Sequence, residues 1–200
     1  MMRIASRFAQ GPEGWCSYEY HASIIAGANI FIQTTWSATG GIDDGGYIWA
    51  DHTRWSADTP ETPMSILPFI RYQSWLGHKP VDLRGAELAV SLRGDGLELH
   101  GAECYFWAHI GGTRWHCSGQ PIAIGAGHWP EQATRVTLVS DESHWYHSWS
   151  KDPDNPASLE QVLTHVESFG FSFVGFDSEV SGRVSMGLFE IDAIGYSHDL

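Results

Sequence analysis

Side chains alternate between apolar and polar over much of this chain, and few folds accept such a pattern. Leu88, Val90 and Leu92 interleave with Ala89, Ser91 and Arg93. Gly94-Asp95-Gly96 then supplies positions tolerant of positive φ, and Leu97 and Leu99 interleave with Glu98 and His100. A period of two places one set of residues on each face of a strand, so this stretch reads as a hairpin or as two strands sharing a sharp bend. Further strands are expected over Ile30 to Trp36, Tyr47 to Ala50, Arg135 to Val139, Phe171 to Phe176 and Gly187 to Ile194, bounded by Gly, Asp and Pro. The 22 glycines are spread along the chain, which suits many turns. One segment breaks the rhythm: Ser158-Leu-Glu-Gln161 has the form of a capping box, and Leu159, Val162, Leu163 and Val166 recur at helical spacing. The expected fold is an all-β antiparallel sandwich of jelly-roll type, a single domain over residues 1–200 with one short helix at Ser158 to Val166.

Composition narrows the function classes. Eleven Lys and Arg against 24 Asp and Glu give a formal charge of −13, with lysine only at Lys79 and Lys151 and no basic stripe. A phosphate backbone would be repelled at long range, so no nucleic-acid partner is expected. No stretch approaches the ~20 uninterrupted apolar residues of a membrane helix, so no membrane insertion is expected either. As written, the chain opens without a secretion signal, which reads as cytoplasmic, or as extracellular where a signal has been removed. Cys16, Cys104 and Cys117 show no metal-knuckle spacing; one disulfide at most is available.

Ten Trp in 200 residues exceed what core filling needs. On the strand from Glu103 to Ile110, Cys104, Phe106, Ala108 and Ile110 form one face, and Glu103, Tyr105, Trp107 and His109 form the other. The second face combines flat rings with hydrogen-bonding groups, the combination that binds a glycan or small sugar. The competing reading turns these rings into the sandwich core. Trp49, from the Tyr47 to Ala50 strand, is expected to join this face. His144, Trp145, Tyr146, His147 and Trp149 read as a loop edge, with Trp145 as the rim of the ligand site. Catalysis would need an acid–base pair or an activated nucleophile, and no nucleophile elbow or phosphate loop is present. If the chain is an enzyme, a lyase or glycosidase site of Tyr105, His109 and Arg114 on the same face is the candidate. A third reading is a protein-interaction domain whose Trp patch lies in an interface; the oligomeric state is left open. Ligand binding, if it occurs near these imidazoles, is expected to fall between pH 7 and pH 5.

The succession Gly45-Gly-Tyr-Ile-Trp-Ala-Asp51, Pro68-Phe-Ile-Arg-Tyr-Gln-Ser-Trp-Leu-Gly77 and Asp82-Leu-Arg-Gly-Ala-Glu-Leu88 resembles the central part of laminin IV-type (laminin B) domains. The early Glu13-Gly-Trp15, the late helix and the terminal Phe189-Glu-Ile-Asp192 follow the same order as in those domains and in related carbohydrate-binding modules. The resemblance implies a galactose-binding-like jelly roll and a carbohydrate-binding or adhesion role without catalysis. It also implies a structural Ca²⁺, for which Asp192, Asp51 and Glu13 are the candidate ligands.

Overall fold

The structure is a computed structural model that describes residues 2–55, 66–175 and 180–196. Among these residues the strands form two seven-stranded sheets and one two-stranded pair. The first, here termed the long-strand sheet, runs in the order Ile124–Ala126, Glu87–Glu98, Val180–Ala193, Tyr47–Trp55, Thr35–Ser37. Met2–Ser6 pairs with Val180–Ala193, and Thr134–Thr137 with Glu87–Glu98. The second, the aromatic sheet, runs Trp145–Ser150, Thr113–Cys117, Glu103–Ile110, Ser168–Val174, Ile66–Tyr72, Trp15–Tyr18, Phe31–Gln33. Ladders are antiparallel except that Ile124–Ala126 lies parallel to Glu87–Glu98. The expected β-sandwich is the fold observed. None of the described helices is long and apolar enough to cross a membrane.

The core is aromatic. Trp15, Phe69, Phe106, Phe169, Phe171 and Phe173 from one sheet meet Leu88, Val90, Met186, Phe189 and Ile191 from the other, all essentially inaccessible to solvent. The inward face of Glu103–Ile110 is the Cys104, Phe106 and Ala108 face that the alternation assigned, which leaves Tyr105, Trp107 and His109 outward. All three cysteines are free and buried, so the disulfide left open by the sequence does not form.

Three local features differ from expectation. Glu87–Glu98 is one continuous strand and not a hairpin. Its Gly96 (φ 58°) meets Gly182 (φ 101°) of the neighbouring strand so closely that a Cβ on Gly182 would lie 2.1 Å from the Gly96 carbonyl oxygen. The glycines therefore serve a close strand approach with a register shift between Ser181 and Arg183, where a tight turn was expected. Likewise Gly46, in the Gly-Gly-Tyr-Ile run, sits where a Cβ would lie 1.9 Å from the Phe8 carbonyl oxygen. The third difference is a second short helix, Tyr20–Ala26, which no capping or periodic signal announced.

The expected helix forms over Leu159–Thr164, capped by Ser158. Ser158 Oγ accepts from the Gln161 N–H, and Gln161 Oε1 accepts from the Ser158 N–H. Leu159, Val162 and Leu163 are buried against the sandwich. Because this helix has fewer than two turns, its register rests on that cap. Ser158→Ala is expected to lower unfolding free energy by about 1 kcal/mol without changing the folded spectrum, measured by urea titration.

Candidate functional site

The outward face of the aromatic sheet carries a groove of about 610 Å³. Every strand of the sheet contributes to it: Trp149, Arg114, Trp107 with His109, Ser168, Ile70 with Tyr72, Tyr18, and Phe31, in spatial order. Seven strands are separated by six spacings of ~4.8 Å, so the groove runs across the strands over roughly 29 Å. The loop after the Tyr20–Ala26 helix, with Gly27, Ala28 and Asn29, walls it on one side.

Register explains which side chains meet. Arg114 lies opposite His109 and Trp149, His109 opposite Ser168, and Trp107 opposite Gly170. A Cβ on Gly170 would lie 2.9 Å from Cζ2 of Trp107, so the glycine leaves room for the indole to lie over the strand. Trp107 is only 2% exposed and packs with Cys16, Leu67 and Ile70 in a small second cluster. The Arg114 guanidinium covers it, 5.8 Å from the ring centroid. Trp107 is thus the floor of the groove and not the open platform expected of it.

The exposed rings stand at the two ends. Trp149 is 42% exposed and faces the His109 ring at 6.5 Å. Phe31 contacts Tyr18, Tyr72 and Trp75, and Trp75, 54% exposed, stacks on Tyr72 at 4.4 Å. Trp149 faces outward because of a bulge: between Thr113–Cys117 and Trp145–Ser150 the register shifts, leaving Ser148 as the extra residue. Tyr146 and Trp149, three apart, therefore share the outer face, stacking on His116 and His109 respectively. Strict alternation would have turned Trp149 inward.

His109 is half-buried and bound through both nitrogens. The Gly112 N–H donates to Nε2 at 3.2 Å, so Nδ1 carries the proton and donates to Ser168 Oγ at 3.1 Å. Burial pushes its pKa down to about 4, with the Glu167 carboxylate opposing and Arg114 assisting. His116, buried beside Arg114 and bonded to Ser172 Oγ, is also held well below the usual imidazole range by burial. The expected loss of ligand binding between pH 7 and pH 5 therefore cannot come from His109, which stays neutral over that range. Tyr105 points outward but does not line the groove; its hydroxyl donates to Glu103, and burial with that partner pushes its pKa up to about 12. It lies four residues, roughly 13 Å, along the strand from His109. The Tyr105, His109 and Arg114 set is thus brought together only in its last two members.

Two expected site residues lie elsewhere. Trp49 stands on the long-strand sheet, against the Tyr47 ring and under Arg183 at 5.0 Å, so it does not join the groove. Trp145 is 5% exposed in the main core, its indole N–H donating to the Val139 carbonyl, and Trp149 takes the rim position instead. The calcium ligand set does not assemble either. Asp51 pairs with Arg183, whereas Asp192 sits nine residues along that same strand beside Arg3, roughly 30 Å away. Glu13 occupies a turn before Trp15 and acts on Arg71. Among the described residues no three His, Cys, Asp or Glu side chains gather where they could hold a metal ion.

No protein-family model and no curated protein matches the sequence. Among solved structures, the chain is similar to the family 11 carbohydrate-binding module of the cellulosomal cellulase Lic26A-Cel5E of Clostridium thermocellum. The TM-score is 0.53 at 8% identity, over 100% of this chain and 99% of that one. It also matches the L4b domain of human laminin alpha-2, with a TM-score of 0.44 and 10% identity, over 96% of this chain and 98% of that one. At these identities the first likeness shows the fold alone, a β-sandwich.

Two outcomes follow from the geometry. Trp107→Ala is expected to cost roughly 3–5 kcal/mol in a denaturant titration, because it opens a cavity between Gly170, Ile70 and Arg114. His109 binds a proton more readily unfolded (pKa ~6.5) than folded (about 4), so it contributes stability above pH 6.5 that is lost as pH falls towards 4. The loss amounts to about 3 kcal/mol, with His116 acting in the same direction. The melting temperature should be flat from pH 8 to 7 and drop below pH 6.5, and His109→Gln should flatten that drop.

Proposed function

We propose that this protein is a carbohydrate-binding module without catalytic activity, holding a glycan chain in the groove of the aromatic sheet. The observation that carries this reading is the groove itself. It crosses all seven strands, so it accommodates an extended oligomer better than a single small molecule, and it has exposed rings at both ends with hydrogen-bonding groups between them. Sugars present apolar C–H faces and a periphery of hydroxyls. Trp149 at one end and the Phe31, Tyr72 and Trp75 group at the other suit the first, while Arg114, Ser168 and Asn29 suit the second. The structural likeness to a cellulase's carbohydrate-binding module supports the same reading.

The site's proton chemistry favours binding over turnover. His109 is committed through both ring nitrogens, and Tyr105 is hydrogen-bonded to Glu103 and holds its proton at neutral pH. A general base needs a free lone pair beside the substrate, which neither offers.

Titration calorimetry against a panel of oligosaccharides tests the proposal; folded protein that binds none of them at millimolar concentration would overturn it. Trp149→Ala removes an exposed ring and leaves no cavity, so binding should weaken roughly tenfold, about 1.4 kcal/mol, with the melting temperature little changed.

A further inference from the structure

Among the described residues Arg114 is the one charged side chain on the groove floor, and its surroundings differ from those of most other arginines. Arg3, Arg7, Arg84, Arg93 and Arg183 each pair with a carboxylate. Arg114 is only 9% exposed, yet among the described residues no carboxylate lies within ion-pair distance of it. The titratable groups that act on it are the phenols of Tyr146, Tyr72 and Tyr18, which carry no charge at neutral pH. Its Nε–H donates to Ser148 Oγ at 3.2 Å, its Cζ lies 5.8 Å from the centroid of the Trp107 ring, and its Nη groups meet no protein acceptor among the described residues. The other buried arginine, Arg71, at least has Glu13 acting on it.

A buried cation without a counter-charge is unfavourable, and here burial, opposed by the neighbouring tyrosines, pushes the guanidinium pKa down to about 10. Such a group is stabilised by whatever anion enters the groove, and the gain is large because the local medium screens poorly. The guanidinium, held at Nε by Ser148 and near the Trp107 ring, has its remaining donors in a fork, which a carboxylate matches with two parallel bonds.

We propose, building on the glycan-binding reading, that the chain bound in this groove carries acidic sugar residues and that one uronate carboxylate seats on Arg114. The protein's formal charge of −13 opposes an anionic ligand at long range, but over a Debye length of ~8 Å the contact charge decides. Glu167 is the acid nearest the His109 end. Its carboxylate accepts from the Gly111 N–H and acts on His109 and Tyr72, but it is not among the groups acting on Arg114. The acidic residue of the ligand is thereby directed to the middle of the groove.

The experiment uses uronic-acid-containing oligosaccharides, each paired with its carboxyl-reduced neutral counterpart, together with neutral cello- and xylo-oligosaccharides, titrated into the intact protein. The expected result is at least a tenfold preference for one acidic oligosaccharide over its reduced form, with that preference lost in Arg114→Gln. Comparing the two ligand forms on unaltered protein keeps the test decisive even where the variant does not fold. If acidic and reduced forms bind equally, or only neutral chains bind, the acidic-sugar proposal fails while the glycan-binding reading stands. If nothing in the panel binds to folded protein, the glycan-binding reading fails and takes this proposal with it.

Discussion

Trp15 ties the two sheets together. Its ring contacts Phe69, Phe169 and Phe171 of its own sheet and Phe189 of the other, with centroids between 4.9 and 6.4 Å apart. Its indole N–H donates to Ser6 Oγ across the interface at 3.0 Å. A polar contact fully inside an aromatic core fixes one relative placement of the sheets where apolar packing alone would tolerate several. With the inner faces committed to this cluster, the alternation of each strand turns the remaining side chains of the aromatic sheet outward, and the groove exists because those side chains are held in one plane.

Several outward-facing residues of the aromatic sheet are withdrawn from solvent. Trp107, Arg114 and His116 are outward-facing by register yet nearly inaccessible, since Tyr146, Trp149 and the Gly27–Asn29 loop stand around them. The low dielectric that results keeps His109 and His116 neutral and leaves Arg114 as the local charge. Buried polar groups held in fixed hydrogen bonds are suited to recognition, because they need little reorganisation when a ligand arrives.

The tryptophan excess serves several purposes. Trp15 and Trp145 fill the core, Trp107 floors the groove, and Trp149 and Trp75 mark its ends. Trp49 stands on the opposite sheet and Trp129 in the loop after its strand Ile124–Ala126; Arg183 lies over the first and Arg93 over the second and over Tyr47. Their amphipathic rings there cover apolar sheet surface beneath half-buried, ion-paired guanidiniums.

The alternation of apolar and polar residues by itself determined that the chain is a β-sandwich, and it set which residues of Glu103–Ile110 share a face, because a strand's faces follow directly from a period of two; which face is inward was left to the packing. The Ser158 capping box likewise set the late helix, since that signal is complete within four residues. Trp107 and His109 were legible as one surface because of that same period, whereas Arg114 joins them through the pairing of its strand with theirs. Trp49 was misplaced because alternation assigns a face within one strand but does not say to which sheet the strand belongs, and Trp145 because its segment, read as a loop edge, is a strand. Only the assembled sheets decided those matters: the bulge at Ser148 that turns Trp149 out, the Gly170 that lets Trp107 lie flat, and the separation of Asp51 from Asp192. Each depends on contacts between residues far apart in the chain, whose register is fixed by packing energy summed over both sheets and is written in no local stretch of sequence.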